Sequence, residues 1–136
     1  MILDAVTKLK RSDNVTFQVV AGEAIVIRLD TGTYFSLNKV GTEFWQMLDG
    51  TATIDQHAAA LANKNNRIVR TATDGLHELA QKIRADSGEE AQVLIDDLRQ
   101  YADALARKYL VDTSLVVNDL LELAGKMAAD RLVDVV

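Results

Sequence analysis

The sequence holds no cysteine, which excludes iron–sulfur ligation, a thiolate nucleophile and a disulfide framework. Its two histidines, His57 and His77, stand apart with no companion at metal-ligand spacing, so neither is expected to act as ligand or base. Asp96 and Asp97 are paired only in sequence, because adjacent helical residues point in different directions. Phosphate-binding glycine patterns are missing, and Gly22, Gly32 and Gly50 read as turn and cap residues. With no nucleophile, base and orienting group to assemble, the expectation is a non-catalytic protein without metal or cofactor. Positive charge is also short: the formal net charge is −5, which disfavours broad attraction to nucleic acid phosphates or anionic lipid. No run approaches the roughly 18 apolar residues of a membrane span. Lys8, Lys10 and Arg11 near the start precede no apolar block, so a cytoplasmic location is expected.

What the chain does hold is enough for one core. At 136 residues it is expected to fold as a single domain, 1–136, without metal or disulfide staples. Residues 1–14 mix short apolar clusters with charge and read as a loosely held lead-in. Val15–Val20, Ala24–Leu29 and Thr33–Leu37 are rich in β-branched and aromatic residues, and the short connections around Gly22 and Gly32 imply an antiparallel meander. Three strands cannot bury two faces alone, so helices are expected to cover one side.

Asn38 reads as the N-cap of a helix carrying Val40, Phe44, Met47 and Leu48 and closed by Asp49-Gly50. Thr53-Ile-Asp-Gln56 has capping-box form and opens a second helix. Lys64-Asn-Asn-Arg67 is turn-prone, and a weaker helical run follows through Leu76, Leu79 and Ile83, with Gly75 against it. Ser87-Gly-Glu-Glu90 is another capping box, followed by Leu94, Leu98, Tyr101, Leu105 and Tyr109 at helical spacing, and this stripe is expected to face the core. A last amphipathic helix is expected from about Ser114 to Leu132. Phe44 and Trp45 read as core aromatics. Tyr34 suits either a cross-strand pair or a ligand contact. Asp97 and Arg99 read as solvated charges.

The order strand, strand, strand, helix, helix, helix is that of a winged helix-turn-helix with its sheet first, an α+β fold. Within it, Tyr34-Phe35-x-Leu37-Asn38, Gly41, Phe44-Trp45, Leu48-Asp49-Gly50 and Thr53 resemble the coenzyme PQQ synthesis protein D family. These are peptide-recognition elements that bind leaders of ribosomally made, post-translationally modified peptides. Val93-Leu-Ile-Asp-Asp97-Leu98 and Tyr109-Leu-Val-Asp112 are similar to that family's third helix and its exit. The wording is closer to stand-alone members serving lasso peptide clusters. On this resemblance the core spans about 15–112, with an insertion at about 63–87 and a helical extension at about 113–136. Each addition would cover the groove, extend it or make a dimer contact.

The resemblance implies that the leader adds as an antiparallel strand along Thr33, Tyr34, Phe35, Ser36 and Leu37. Leu94, Asp97, Leu98 and Tyr101 would then form the opposite wall. Backbone pairing would give sequence-tolerant affinity, and pockets at alternate positions would select the peptide. The implied partners are a precursor peptide and a modifying enzyme, such as a radical SAM enzyme or a leader peptidase.

Two other readings compete. A winged-helix DNA-binding regulator should carry a basic recognition helix. Residues 89–108 instead hold five acids, Glu89, Glu90, Asp96, Asp97 and Asp103, against Arg99, Arg107 and Lys108. The other is an oligomerising module, a homodimer built on an open strand edge or on the last helix.

Overall fold

A computed structural model describes residues 2–84 and 88–136. The chain is α+β and divides into two compact units, residues 1–61 with 113–136, and residues 62–112.

In the first unit, β2 (Val15–Val20), β3 (Glu23–Arg28) and β4 (Tyr34–Ser36) form the expected antiparallel meander in the order β2-β3-β4. Val20 pairs with Glu23, so Ala21 and Gly22 alone make the β2–β3 turn. Both have positive φ, 52° and 80°, the type I′ geometry whose twist suits a two-residue hairpin. The inner face carries Ala24 and Val26, both fully buried. Helix α1 (Lys39–Met47) lies against it, with Asn38 as its N-cap accepting from the Gly41 N–H at 2.8 Å. Buried Thr42 ties this helix to the sheet: its Oγ1 accepts from the Ala24 N–H at 2.7 Å and donates to the Leu37 carbonyl at 3.3 Å.

A second antiparallel sheet, unforeseen in the sequence, has the order β5-β1-β6, from β1 (Lys8–Arg11), β5 (Asp49–Thr53) and β6 (Val133–Val135). The opening residues are therefore no loose lead-in: Leu9 is buried and β1 has a partner on each side. Asp49-Gly50 begins β5 instead of merely closing α1. Arg11 caps α1 from the side, its Nη1 donating to the Trp45 and Gln46 carbonyls at 2.9 and 3.0 Å. Leu9, Phe44, Trp45, Leu48, Ile54, Leu120 and Met127 form one buried cluster. Leu120 and Met127 come from α4 (Thr113–Ala129), the last helix.

Helix α2 runs unbroken over Ile54–Lys82, correcting the turn expected at Lys64–Arg67. Its start is the expected capping box, in which Thr53 N–H donates to Gln56 Oε1 at 2.9 Å and Gln56 N–H to Thr53 Oγ1 at 3.3 Å.

From Ala62 onward α2 belongs to the second unit with α3 (Glu89–Tyr109). The two asparagines that suggested a turn bind the exit of α3: Asn65 Nδ2 donates to the Tyr109 carbonyl at 2.8 Å, Asn66 Nδ2 to the Val111 carbonyl at 3.0 Å, and the Val111 N–H to Asn66 Oδ1 at 2.9 Å. Helix α3 starts after Gly88 with no side-chain cap, and the Ser87 end of the expected capping box lies outside the described residues. The face that α3 buries is also shifted. Ile95 and Ala102 are buried, whereas Leu94, Tyr101 and Tyr109 are exposed. Apolar residues occupy two neighbouring stripes of this helix, and the stripe with the small Ala102 allows the closer approach. Among the described residues no helix is long and apolar enough to cross a membrane.

Candidate functional site

The backbone pairing of β4 decides which of its groups are free. Arg28 N–H donates to the Thr33 carbonyl and Leu37 N–H to the Ala24 carbonyl, each at 2.9 Å. With Val26 opposite Phe35, residues 33, 35 and 37 turn their backbone groups towards β3. The alternation of an antiparallel ladder then turns those of Tyr34 and Ser36 outwards. Among the described residues β4 has no further neighbour in the sheet order. Tyr34 is 71 % exposed, and Leu37 is buried at the end of the strand.

Beside this edge lies a cavity of about 640 Å³. Its apolar lining comes from Leu37, Val40, Gly41, Leu120 and Leu123, and its polar rim from Ser36, Asn38, Asp119, Glu122 and Lys126. Helix α4 therefore walls the groove within the first unit. At Gly41 in the lining a Cβ would meet Asn38 Oδ1 at 3.2 Å, and Leu123 Cδ2 and Leu37 Cβ each at 3.5 Å, so the glycine lets α1 and α4 approach closely there. On the rim Lys126 Nζ sits 3.6 Å from Glu122 Oε1.

The residues expected to contact a peptide thus fall into two groups. Thr33, Tyr34, Phe35, Ser36 and Leu37 lie on or beside β4 in the first unit, while Leu94, Asp97, Leu98 and Tyr101 lie on α3 in the second. Val40, Asp119, Leu120, Leu123 and Lys126 line the cavity without being among the residues expected to contact a peptide. The signal available for them was the amphipathic pattern of the last helix, read there only as an addition.

The opposite edge, β2, is also open. Leu29 N–H donates to the Asn14 carbonyl at 2.8 Å, so the same alternation turns Val15, Phe17 and Val19 outwards. Its neighbouring cavity is smaller, about 400 Å³, and more charged, with Lys10, Arg11, Asp13 and Asp49 in its lining. Phe17 is held by the Trp45 ring at 5.7 Å and the Arg11 guanidinium at 5.6 Å.

Titratable groups off the β4 groove follow their local partners. A hydrogen bond from Arg28 lowers the Asp30 pKa, and one from Thr51 lowers that of Asp49. Burial lowers the pKa of His57, partly opposed by the nearby Asp49 charge. His77 Nε2 is 4.0 Å from Asp103 Oδ1. Among the described residues, no three His, Cys, Asp or Glu gather as a metal site.

No curated protein matches the chain. A solved structure, TbiB1 in complex with the TbiA(beta) leader peptide, is similar at 25% identity with a TM-score of 0.38, over 76% of this chain and 94% of that one. Residues 23–82 match the family of coenzyme PQQ synthesis protein D, a stretch that includes β3, β4 and α1 and ends before α3 and α4. Over those residues the chain is similar to that family, and the stretch holds the Tyr34–Thr53 signature on which the resemblance in the sequence rests.

Proposed function

We propose that this protein binds the leader of a ribosomally made precursor peptide as an extra antiparallel strand on β4 and holds it for a separate modifying enzyme. The carrying observation is the outward-turned backbone of Tyr34 and Ser36 beside a cavity with aliphatic lining. An edge of this kind gives affinity through main-chain pairing, and the adjoining cavity selects side chains at alternate positions. The PqqD match over β3, β4 and α1 supports the same reading.

In this proposal Thr33–Leu37 supplies the edge and α4 the opposite wall. Helix α4 thus takes the part that the family resemblance assigned to the helix with Leu94, Asp97, Leu98 and Tyr101. The partner enzyme, a radical SAM enzyme or a leader peptidase in the resemblance, would act on the core peptide while the leader stays bound. Tethering raises the local concentration of the modifiable segment, which is how a binder speeds chemistry that it does not perform.

Leader peptides encoded beside the gene provide the test, titrated calorimetrically against wild-type protein and the Ser36→Pro variant. The Ser36 N–H faces away from β3, so proline there removes a donor from the guest side of the ladder. Expected are saturable binding by wild type and a loss of about tenfold in the variant, the scale of one or two hydrogen bonds. Absence of binding to every such leader, or equal binding by the variant, would refute the proposal.

A further inference from the structure

We infer that the β4–α4 groove selects an extended peptide carrying a bulky apolar side chain and, two residues away on the same face, a lysine or arginine. This rests on the leader-binding reading and specifies the chemistry of its guest. Cross-strand neighbours share a face, so guest residues opposite Phe35 and Leu37 point inwards, and those opposite Tyr34 and Ser36 point to the other side. The apolar anchor is read by Leu37, Leu120 and Leu123, which line the cavity.

The rim supplies the charge preference. Lys126 sits 3.6 Å from Glu122, so the rim's Asp119, Glu122 and Lys126 together carry a net negative charge, with the Asp119 carboxylate on an exposed position at the mouth. Spacing makes the two features readable together. Asp119 and Leu123 are four residues apart on α4, about 6 Å of helix rise, and same-face residues of a strand are about 6.6 Å apart. For a guest whose strand runs along α4, an anchor over Leu123 brings the next inward side chain over Asp119. A cation there meets an attractive partner, and an acid meets repulsion.

Two labelled synthetic peptides test this, sharing an alternating Thr–Leu stretch and differing by Lys or Glu two residues from one Leu. Anisotropy titrations compare wild type with Asp119→Lys, whose fold is checked by circular dichroism. Wild type is expected to bind the Lys peptide roughly threefold more tightly than its Glu twin, the scale of an exposed ion pair. Asp119→Lys should reverse the order, and added salt should shrink both differences. A third peptide, N-methylated at alternate backbone positions, reports strand pairing itself. Binding that is lost on N-methylation but indifferent to Lys or Glu would overturn this inference and leave leader binding standing. Failure of all the peptides to bind, or binding insensitive to N-methylation, would overturn both.

Discussion

Thr42 and His57 are the two buried polar side chains of the first unit whose partners, or lack of them, carry a measurable consequence. Thr42 Oγ1 is the acceptor for the buried Ala24 N–H. Thr42→Val keeps the shape but leaves that donor unpaired, at a cost of about 1–3 kcal/mol. Urea denaturation should show a lower midpoint for Val and a smaller loss for Ser, which keeps the hydroxyl. His57 is 4 % exposed, stacks edge-on with Phe44 at 5.8 Å, and among the described residues its Nε2 has no hydrogen-bond partner. Burial therefore favours the neutral ring, and its folded pKa lies below the ordinary 6.5. Below 6.5 the unfolded chain takes up a proton that the folded chain refuses. His57 thus favours the fold fully above that value, and the advantage is lost as pH falls towards the folded pKa. The expected result is a melting temperature that drops between neutral and mildly acidic pH, with a shallower drop in His57→Phe. Equal pH slopes for the two proteins would show that other groups dominate.

At the scale of elements, the β2–β3 hairpin contains a residue that local chemistry disfavours. Ala21 sits at φ 52°, where an L side chain with a Cβ is strained by about 1–2 kcal/mol. Asparagine tolerates that conformation, and Asn-Gly is a preferred type I′ pair. Ala21→Asn should raise stability by about 0.5–1 kcal/mol, read as a higher denaturation midpoint at unchanged slope. The hairpin itself was legible because alternation and turn residues are local signals, and so were the Asn38 cap and the Thr53 capping box. Strands β1 and β6 were not legible. They are short, and β6 pairs with residues from the far end of the chain, as in Leu9 opposite Val135, so no local window contains their partner. The break expected in α2 failed for a related reason. Asn65 and Asn66 lower helix propensity, but their side chains satisfy backbone groups after α3, a tertiary contact that propensity does not see. For the candidate site, the edge strand could be read from sequence. Its wall could not, because α4 joins the first unit only after residues 62–112, which form a unit of their own.

Across the whole molecule the two units differ in what they bury. The first buries Trp45, Phe44, Leu48, Ile54, Leu120 and Met127. The buried positions described in the second are Ala62, Thr73, Ala80, Ile95 and Ala102, among which Ile95 is the one large apolar side chain. Area removed from water sets most of the driving force, at about 25 cal/mol per Å². Alanine contributes little, so the second unit should open at lower free energy than the first. Native-state hydrogen exchange should therefore show less protection along α3 than along β3 and α1. Ile95→Ala removes the one large apolar side chain buried among the described residues of the second unit, and deletions of this kind cost about 2–5 kcal/mol. If the units open separately, exchange should accelerate in α3 and in α2 beyond Ala62, while β3 and α1 keep their protection. A uniform acceleration through all helices and strands would instead mean that the chain opens as one cooperative body. The contrast bears on function, because β4 and α4 both lie in the unit with the larger core. A guest strand needs an edge whose register is already fixed when it arrives, and the Thr42 and Asn38 hydrogen bonds fix it beside the groove. Weakening the second unit should then leave that edge's exchange protection intact, whereas Thr42→Val should erode it.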